Sequence, residues 1–167
     1  RANVYKVMLK IKIVAMGKLT EPAFKAASDE YLARLNKNFS VTVAEPKPEP
    51  LPQNPSDNAI KLALDKEADK ILAEISPRSA LVAMCVEGKE LSSEEFSQRL
   101  SDFALSGFSE VAFVIGSSHG LSDKVKNAAK LKLSVSKMTF PHELFRVMLL
   151  EQIYRAGEIQ SGSKYHK

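Results

Sequence analysis

Three segments of this chain combine residue types and spacings that can do chemistry. The first is Val114 to Leu121, VIGSSHGL, where an apolar run ends at Gly116 and a second glycine, Gly120, follows four residues later. Glycines let backbone approach a ligand closely, and a following helix can aim N–H donors at a polar group. The segment is neither GxGxxG nor a P-loop, because the P-loop lysine is missing, and by itself it reads equally as a tight strand-to-helix turn. The second is Ser134 to Arg146, SVSKMTFPHELFR, in which His142 and Arg146 lie four residues apart and so share a helical face. An imidazole one turn from a guanidinium can bind phosphate or tune a proton transfer; otherwise the pair is a helix-start residue and a surface charge. The third is the tail from Ser161 to Lys167, SGSKYHK, where Tyr165, His166 and two lysines could stack on and pair with RNA, or fray in water.

Weaker candidates surround these. His119 lies inside the glycine turn. Glu87-Gly88-Lys89 reads as a turn at the carboxyl end of a strand. The single cysteine, Cys85, falls in an apolar strand and reads as a small filler. No metal-ligand spacing, no GxSxG and no paired catalytic carboxylates occur.

The elements that must position these segments follow from the apolar patterning. Strands are expected over Val7–Met16, Val41–Ala44, Ala80–Val86, Val111–Ile115 and Leu133–Met138. Ala80–Val86 and Val111–Ile115 are apolar throughout, as in strands covered on both faces. Helices are expected over Glu21–Asn36 with Thr20 as N-cap, over Asn58–Ile75 with Ile60, Leu64, Ala68, Ile71 and Ile75 on one stripe, and behind the Ser92/Glu95 capping box. Two more are expected over Asp123–Leu131 and from Pro141 to about Ala156. Residues 45–57 hold a proline-rich loop, EPKPEPLPQNP, and residues 1–7 are expected to be disordered or the remnant of a tag or targeting segment. The βαβα alternation gives an α/β fold with a parallel-rich sheet, read as one domain over residues 1–167. Ligands of such sheets bind beyond the carboxyl ends of the strands, which points to the loops after Val86, Ile115 and Met138.

Composition bounds the rest. A chain of 167 residues, 44% hydrophobic and 26% charged, can bury a core. The net charge of +4 is compatible with a polyanionic partner without requiring one. One cysteine excludes an internal disulfide and points to a reducing compartment. No apolar run reaches the length of a membrane span, so neither a membrane nor a metal partner is expected.

Taken together, VIGSSHGLS, LSVSKMTFPHELFRVMLLEQIYRA and the terminal YHK, with KIVAMGKL and EGKELSSEEF earlier in the chain, resemble the RlmH family of ribosomal RNA methyltransferases from about Met8 onward. The resemblance implies a SPOUT-type α/β knot, in which the C-terminal part threads through a loop as a trefoil. It also implies a homodimer, S-adenosylmethionine as cofactor, and methylation of N3 of a pseudouridine in large-subunit rRNA on the assembled ribosome. Carried over by position, cofactor contacts would fall at Met84, Gly116, Val135, Ser136, Lys137, Met138, Thr139 and Phe140, and the catalytic positions at His142, Arg146, Tyr165 and His166. The family carries two adjacent glycines where this chain has Gly116-Ser117, a change expected to be tolerated if the φ of Ser117 is negative. The location implied is cytoplasmic for a bacterial protein, and chloroplast or mitochondrion for a processed eukaryotic one. Rival readings are a tRNA methyltransferase of the same fold and a non-catalytic ribosome-binding protein. A plain dinucleotide-binding domain is disfavoured, because no GxGxxG follows the first strand.

Overall fold

The computed structural model describes residues 8–166, so the expectation for residues 1–7 and the terminal Lys167 fall outside it. Five strands, β1 (Lys10–Ala15), β2 (Ser40–Ala44), β3 (Ser79–Glu90), β4 (Glu110–Ile115) and β5 (Leu131–Ser134), form one sheet in the order β2-β1-β4-β3-β5, with every pairing parallel. Five helices separate and follow them: α1 (Pro22–Leu35), α2 (Asp57–Ala73), α3 (Ser93–Leu105), α4 (Asp123–Ala128) and α5 (His142–Gln160).

Helices cover both faces, which is why the central strands read as unbroken apolar runs. Successive side chains of a strand point to opposite faces. Ile11, Ile13 and Ala15 of β1 pack with Leu35 of α1, Phe96 and Leu100 of α3, and Leu149, Leu150 and Ile153 of α5. Val14 of β1, with Leu81 and Ala83 of β3, packs instead against Ala68 and Ile71 of α2 and Val125 of α4. The most deeply placed strand residues, among them Phe113 and Val82, are inaccessible to water.

Several local expectations are corrected. Thr20 is not the N-cap of α1: Glu21 holds that position without a side-chain cap bond, and Pro22 opens the helix. The exposed N–H groups of Thr20 and Glu21 are met from α5 instead, by the carboxylate of Glu143, which holds that carboxyl below its usual range. Glu87-Gly88-Lys89 is no turn. β3 runs on to Glu90, and its pairing with β5 is interrupted between Met84 and Lys89, so residues 85–88 swing out of the ladder. Leu133–Met138 is not one strand, because β5 ends at Ser134 and the chain then turns away from the sheet. The capping box of Ser92 and Glu95 is formed as expected.

Candidate functional site

The carboxyl ends of β3, β4 and β5 open into a cleft of about 560 Å³, within the size range of small-molecule sites. Three irregular segments build it: the excursion 85–88 of β3, the β4–α4 loop from Gly116 to Leu121, and the β5–α5 loop from Val135 to Phe140. Met84, Gly116, Val135, Ser136, Met138, Thr139 and Phe140 line it, as does His142. Lys137 is exposed and does not.

Each loop is held by its own polar contacts. Ser134 Oγ donates to the carbonyl of Ser136 at 2.9 Å, and Ser136 Oγ accepts the N–H of Met138 at 2.9 Å, folding the β5–α5 loop onto itself. In the β4–α4 loop the N–H of Gly120 donates to the carbonyl of Ser117 at 2.9 Å. A Cβ on Gly116 would sit 2.2 Å from the carbonyl oxygen of Gly120, so the two ends of this loop meet only because residue 116 has no side chain. Ser117 has no positive φ, so its side chain is accommodated without left-handed strain.

His142 joins the two loops. Its Nε2 lies 2.6 Å from the carbonyl oxygen of Gly116. A carbonyl only accepts, so Nε2 carries a proton and donates to it. The imidazole is therefore fixed in orientation at the wall of the cleft. Across the opening, Glu87 and Lys126 form a 2.5 Å ion pair. Lys126 holds the Glu87 carboxyl below its usual range, and Glu87 raises Lys126 in turn. Burial pushes the Cys85 thiol up, away from nucleophilic character.

Arg146 departs from the expected picture. Its guanidinium is 4% exposed and turned inward, where it pairs with Glu45 at 2.7 Å and donates to the carbonyl of Gly17 at 3.3 Å. It is neither a surface charge nor a free cation aimed at a ligand. It pins the first turns of α5 to the proline-rich segment and to the end of β1. That segment is a strap rather than a loose loop. Gly17 N–H donates to the carbonyl of Pro46 at 2.9 Å, and Lys70 of α2 reaches both Glu49 at 2.7 Å and the carbonyl of Lys47 at 2.8 Å.

Tyr165 and His166 do not join the cleft of their own chain. Tyr165 packs edge-on against Tyr154 at 4.8 Å, twelve residues and about 18 Å along α5 from His142. Its hydroxyl donates to Glu151 at 3.2 Å, and Arg155 lies 4.9 Å over its ring. His166 bridges Arg155, at 3.3 Å from Nδ1, and Glu94, at 2.7 Å from Nε2. The structure thus makes two groups: a cleft centred on His142, and a latched tail centred on Arg155. The sequence reading missed Arg155, although Glu151 and Arg155 at i,i+4 carry a visible ion-pair spacing. It also missed Glu45, Glu143 and Glu67, of which Glu67 alone left a trace, as a charge on the apolar stripe of α2.

Among the described residues no group of three or more His, Cys, Asp or Glu could hold a metal, and no helix is long and apolar enough to cross a membrane. The family model described as "Predicted SPOUT methyltransferase" matches residues 9–166. The chain is similar to proteins named ribosomal RNA large subunit methyltransferase H. That of Clostridium botulinum is 47% identical over 159 residues, covering 95% of this chain and 100% of the relative. The Streptococcus sanguinis protein is 46% identical and the Clostridioides difficile protein 44%, each over the same shares of both chains. A methyltransferase acts with a methyl donor, and the cleft has the loops and volume to take one. On a match running from residue 9 to 166 and relatives aligned over their whole length, this chain belongs to the SPOUT methyltransferase family.

Proposed function

We propose that this protein transfers a methyl group from S-adenosylmethionine to N3 of a pseudouridine in large-subunit rRNA, working as a homodimer on the assembled ribosome with its C-terminal part knotted. The observation that carries the reading is the oriented imidazole of His142 at the mouth of a cleft built from backbone loops. The rRNA substrate is supported by the names of the full-length relatives.

The cleft fits the donor by its chemistry. Its walls offer apolar surface from Met84, Leu133 and Phe140 for a flat purine, and its loops offer N–H and C=O groups for polar ends. Glu87 supplies an anionic group at the rim, although it is shared with Lys126. When bound, S-adenosylmethionine supplies an electrophilic methyl on a sulfonium. The protein's part is position and proton transfer. N3–H of pseudouridine is a weak acid whose proton must leave as the methyl arrives. His142 Nδ1 takes that proton directly or through a water, while Nε2–H stays anchored on Gly116. The anchor holds the ring against rotation, so the basic nitrogen does not have to be reoriented in each cycle. Arg146 serves by holding α5 on Glu45 and Gly17, not by touching the base. Tyr165 and His166 close over the base from a second copy of the chain, since each tail lies far from its own cleft.

With a net charge of only +4, a few phosphate contacts give modest affinity, so specificity comes from ribosome shape. The test is methyl transfer followed by nucleoside mass spectrometry, using ribosomes, protein-free rRNA and tRNA as acceptors. One methylated pseudouridine on ribosomes alone is expected, with His142→Ala slower by about 10²–10⁴-fold. Efficient modification of tRNA or of naked rRNA would refute the substrate assignment. A wild-type rate in His142→Ala would refute the base.

A further inference from the structure

Glu67 is a carboxylate buried to 3% exposure beside Ala68 and Ile71, and among the described residues it makes no ion pair. Two neutral donors hold it instead. The backbone N–H of Glu49 meets Oε1 at 3.0 Å, and the hydroxyl of Ser117 meets Oε2 at 2.8 Å. A carboxylate without a cation is costly to bury, and an apolar residue would serve packing better. Its two partners lie on segments far apart in sequence, the proline-rich strap and the β4–α4 loop of the cleft. Ser117 is also the residue that stands where the paired glycines were expected.

We propose that Glu67 and Ser117 form a positioning pair that sets the β4–α4 loop for the methyl donor, an inference that rests on the cleft being the donor site. The hydroxyl-to-carboxylate bond is the strong kind, and it fixes the residue next to Gly116, whose carbonyl orients His142. The other oxygen of Glu67 fixes Glu49 on the strap, whose Glu45 holds Arg146 on α5. One buried group therefore ties the β4–α4 wall of the cleft to the strap, and through Glu45 and Arg146 to the first turns of α5. A loop held in its bound shape beforehand loses less freedom on binding, so the pair raises donor affinity without touching the reacting atoms.

The test is titration calorimetry of the full chain with S-adenosylhomocysteine, with melting curves alongside. Ser117→Gly and Ser117→Ala should fold and weaken binding about tenfold, and Ser117→Thr, which keeps the hydroxyl, should bind within about twofold of wild type. Glu67→Gln should weaken binding to a similar degree, and the Ser117→Gly/Glu67→Gln double variant no further than either single one. In methyl transfer the loss should appear in KM for S-adenosylmethionine, and Ser117→Thr should restore that KM to within about twofold of wild type. Wild-type affinity in Ser117→Gly, or a Ser117→Thr as weak as Ser117→Gly, overturns the pairing. If Glu67→Gln does not fold, the Ser117 series decides alone. If the wild-type chain itself binds no S-adenosylhomocysteine, the donor-site reading fails and this inference fails with it; if wild type binds and every variant matches it, only this inference falls.

Discussion

A Gly116→Ala substitution places a Cβ 2.2 Å from the carbonyl oxygen of Gly120, 2.6 Å from its carbonyl carbon and 3.0 Å from Leu121 Cδ2. The first two are backbone atoms, so no rotamer change relieves the clash, and the loop must open from 2.2 Å to at least 3.0 Å. Gly116 has no positive φ, so the penalty is contact and not conformation. Overpacking of this kind costs about 1–3 kcal/mol. In a domain of this size that lowers Tm by about 3–10 °C. Gly120→Ala is the matched control. Its φ is +89°, and nothing lies within 4 Å of the added Cβ, so it carries a conformational cost of about 1–2 kcal/mol without a steric push. The two variants should melt within a few degrees of each other yet differ in function. Opening the loop moves the Gly116 carbonyl that orients His142, and a displacement near 1 Å in a positioned group can cost about 10²-fold in rate. Calorimetric titration with S-adenosylhomocysteine, melting curves and methyl transfer to ribosomes are measured on both. The expected result is a donor affinity and a rate lost in Gly116→Ala and largely kept in Gly120→Ala. Equal losses in the two variants, or a Gly116→Ala that turns over at the wild-type rate, would show that loop closure at Gly116 does not set the site.

Removing Glu45 leaves the buried Arg146 with only the Gly17 carbonyl, so Glu45→Ala should destabilise by about 2–3 kcal/mol, and the Glu45→Met/Arg146→Met pair by less, read as Tm. Acid should act through Glu158, whose carboxyl is held below its ordinary value of 4.5 by hydrogen bonds from Ser163 first, then Asn38 and Lys37. A depressed carboxyl pKa contributes stability that is fully present above the unfolded value and is lost as pH falls through the folded one. Wild-type Tm should therefore drop as pH falls below about 4.5, and less steeply in Glu158→Gln. Identical slopes for the two proteins would remove Glu158 from the account.

The sheet was legible wherever burial on both faces wrote long apolar runs, as at Ala80–Met84 and Val111–Ile115. The helices were legible from their stripes and, at Ser92, from a local capping box. What escaped was every contact made across sequence. Thr20 carries the chemistry of an N-cap, yet its N–H is served by Glu143, 123 residues away, and no local rule anticipates that. β3 resumes beyond Gly88 because Lys89 and Glu90 pair again with β5, a tertiary partner that outweighs the turn propensity of EGK. The cleft itself was located from two glycines, a proline-opened helix and the rule that sites form at strand carboxyl ends. The inward turn of Arg146 was not, because a charged residue four positions after His142 reads as exposed until Glu45 is known to be beneath it. Glu67 was the one buried group with a readable sign, a carboxylate at i+3 from Leu64 and i−4 from Ile71 on a stripe otherwise apolar.

The strand order carries a consequence for how the chain comes into being. β4 lies between β1 and β3, so both of those strands wait for a segment that begins at Glu110. During synthesis from the amino end, β1–α1–β2 and then α2–β3 emerge as two incomplete halves, each showing a bare apolar edge until the central strand arrives to zip them together. Assembly of this molecule is therefore a late, nearly single event governed by contacts distant in the chain, which slows folding and leaves the nascent halves dependent on shielding from one another and from their neighbours.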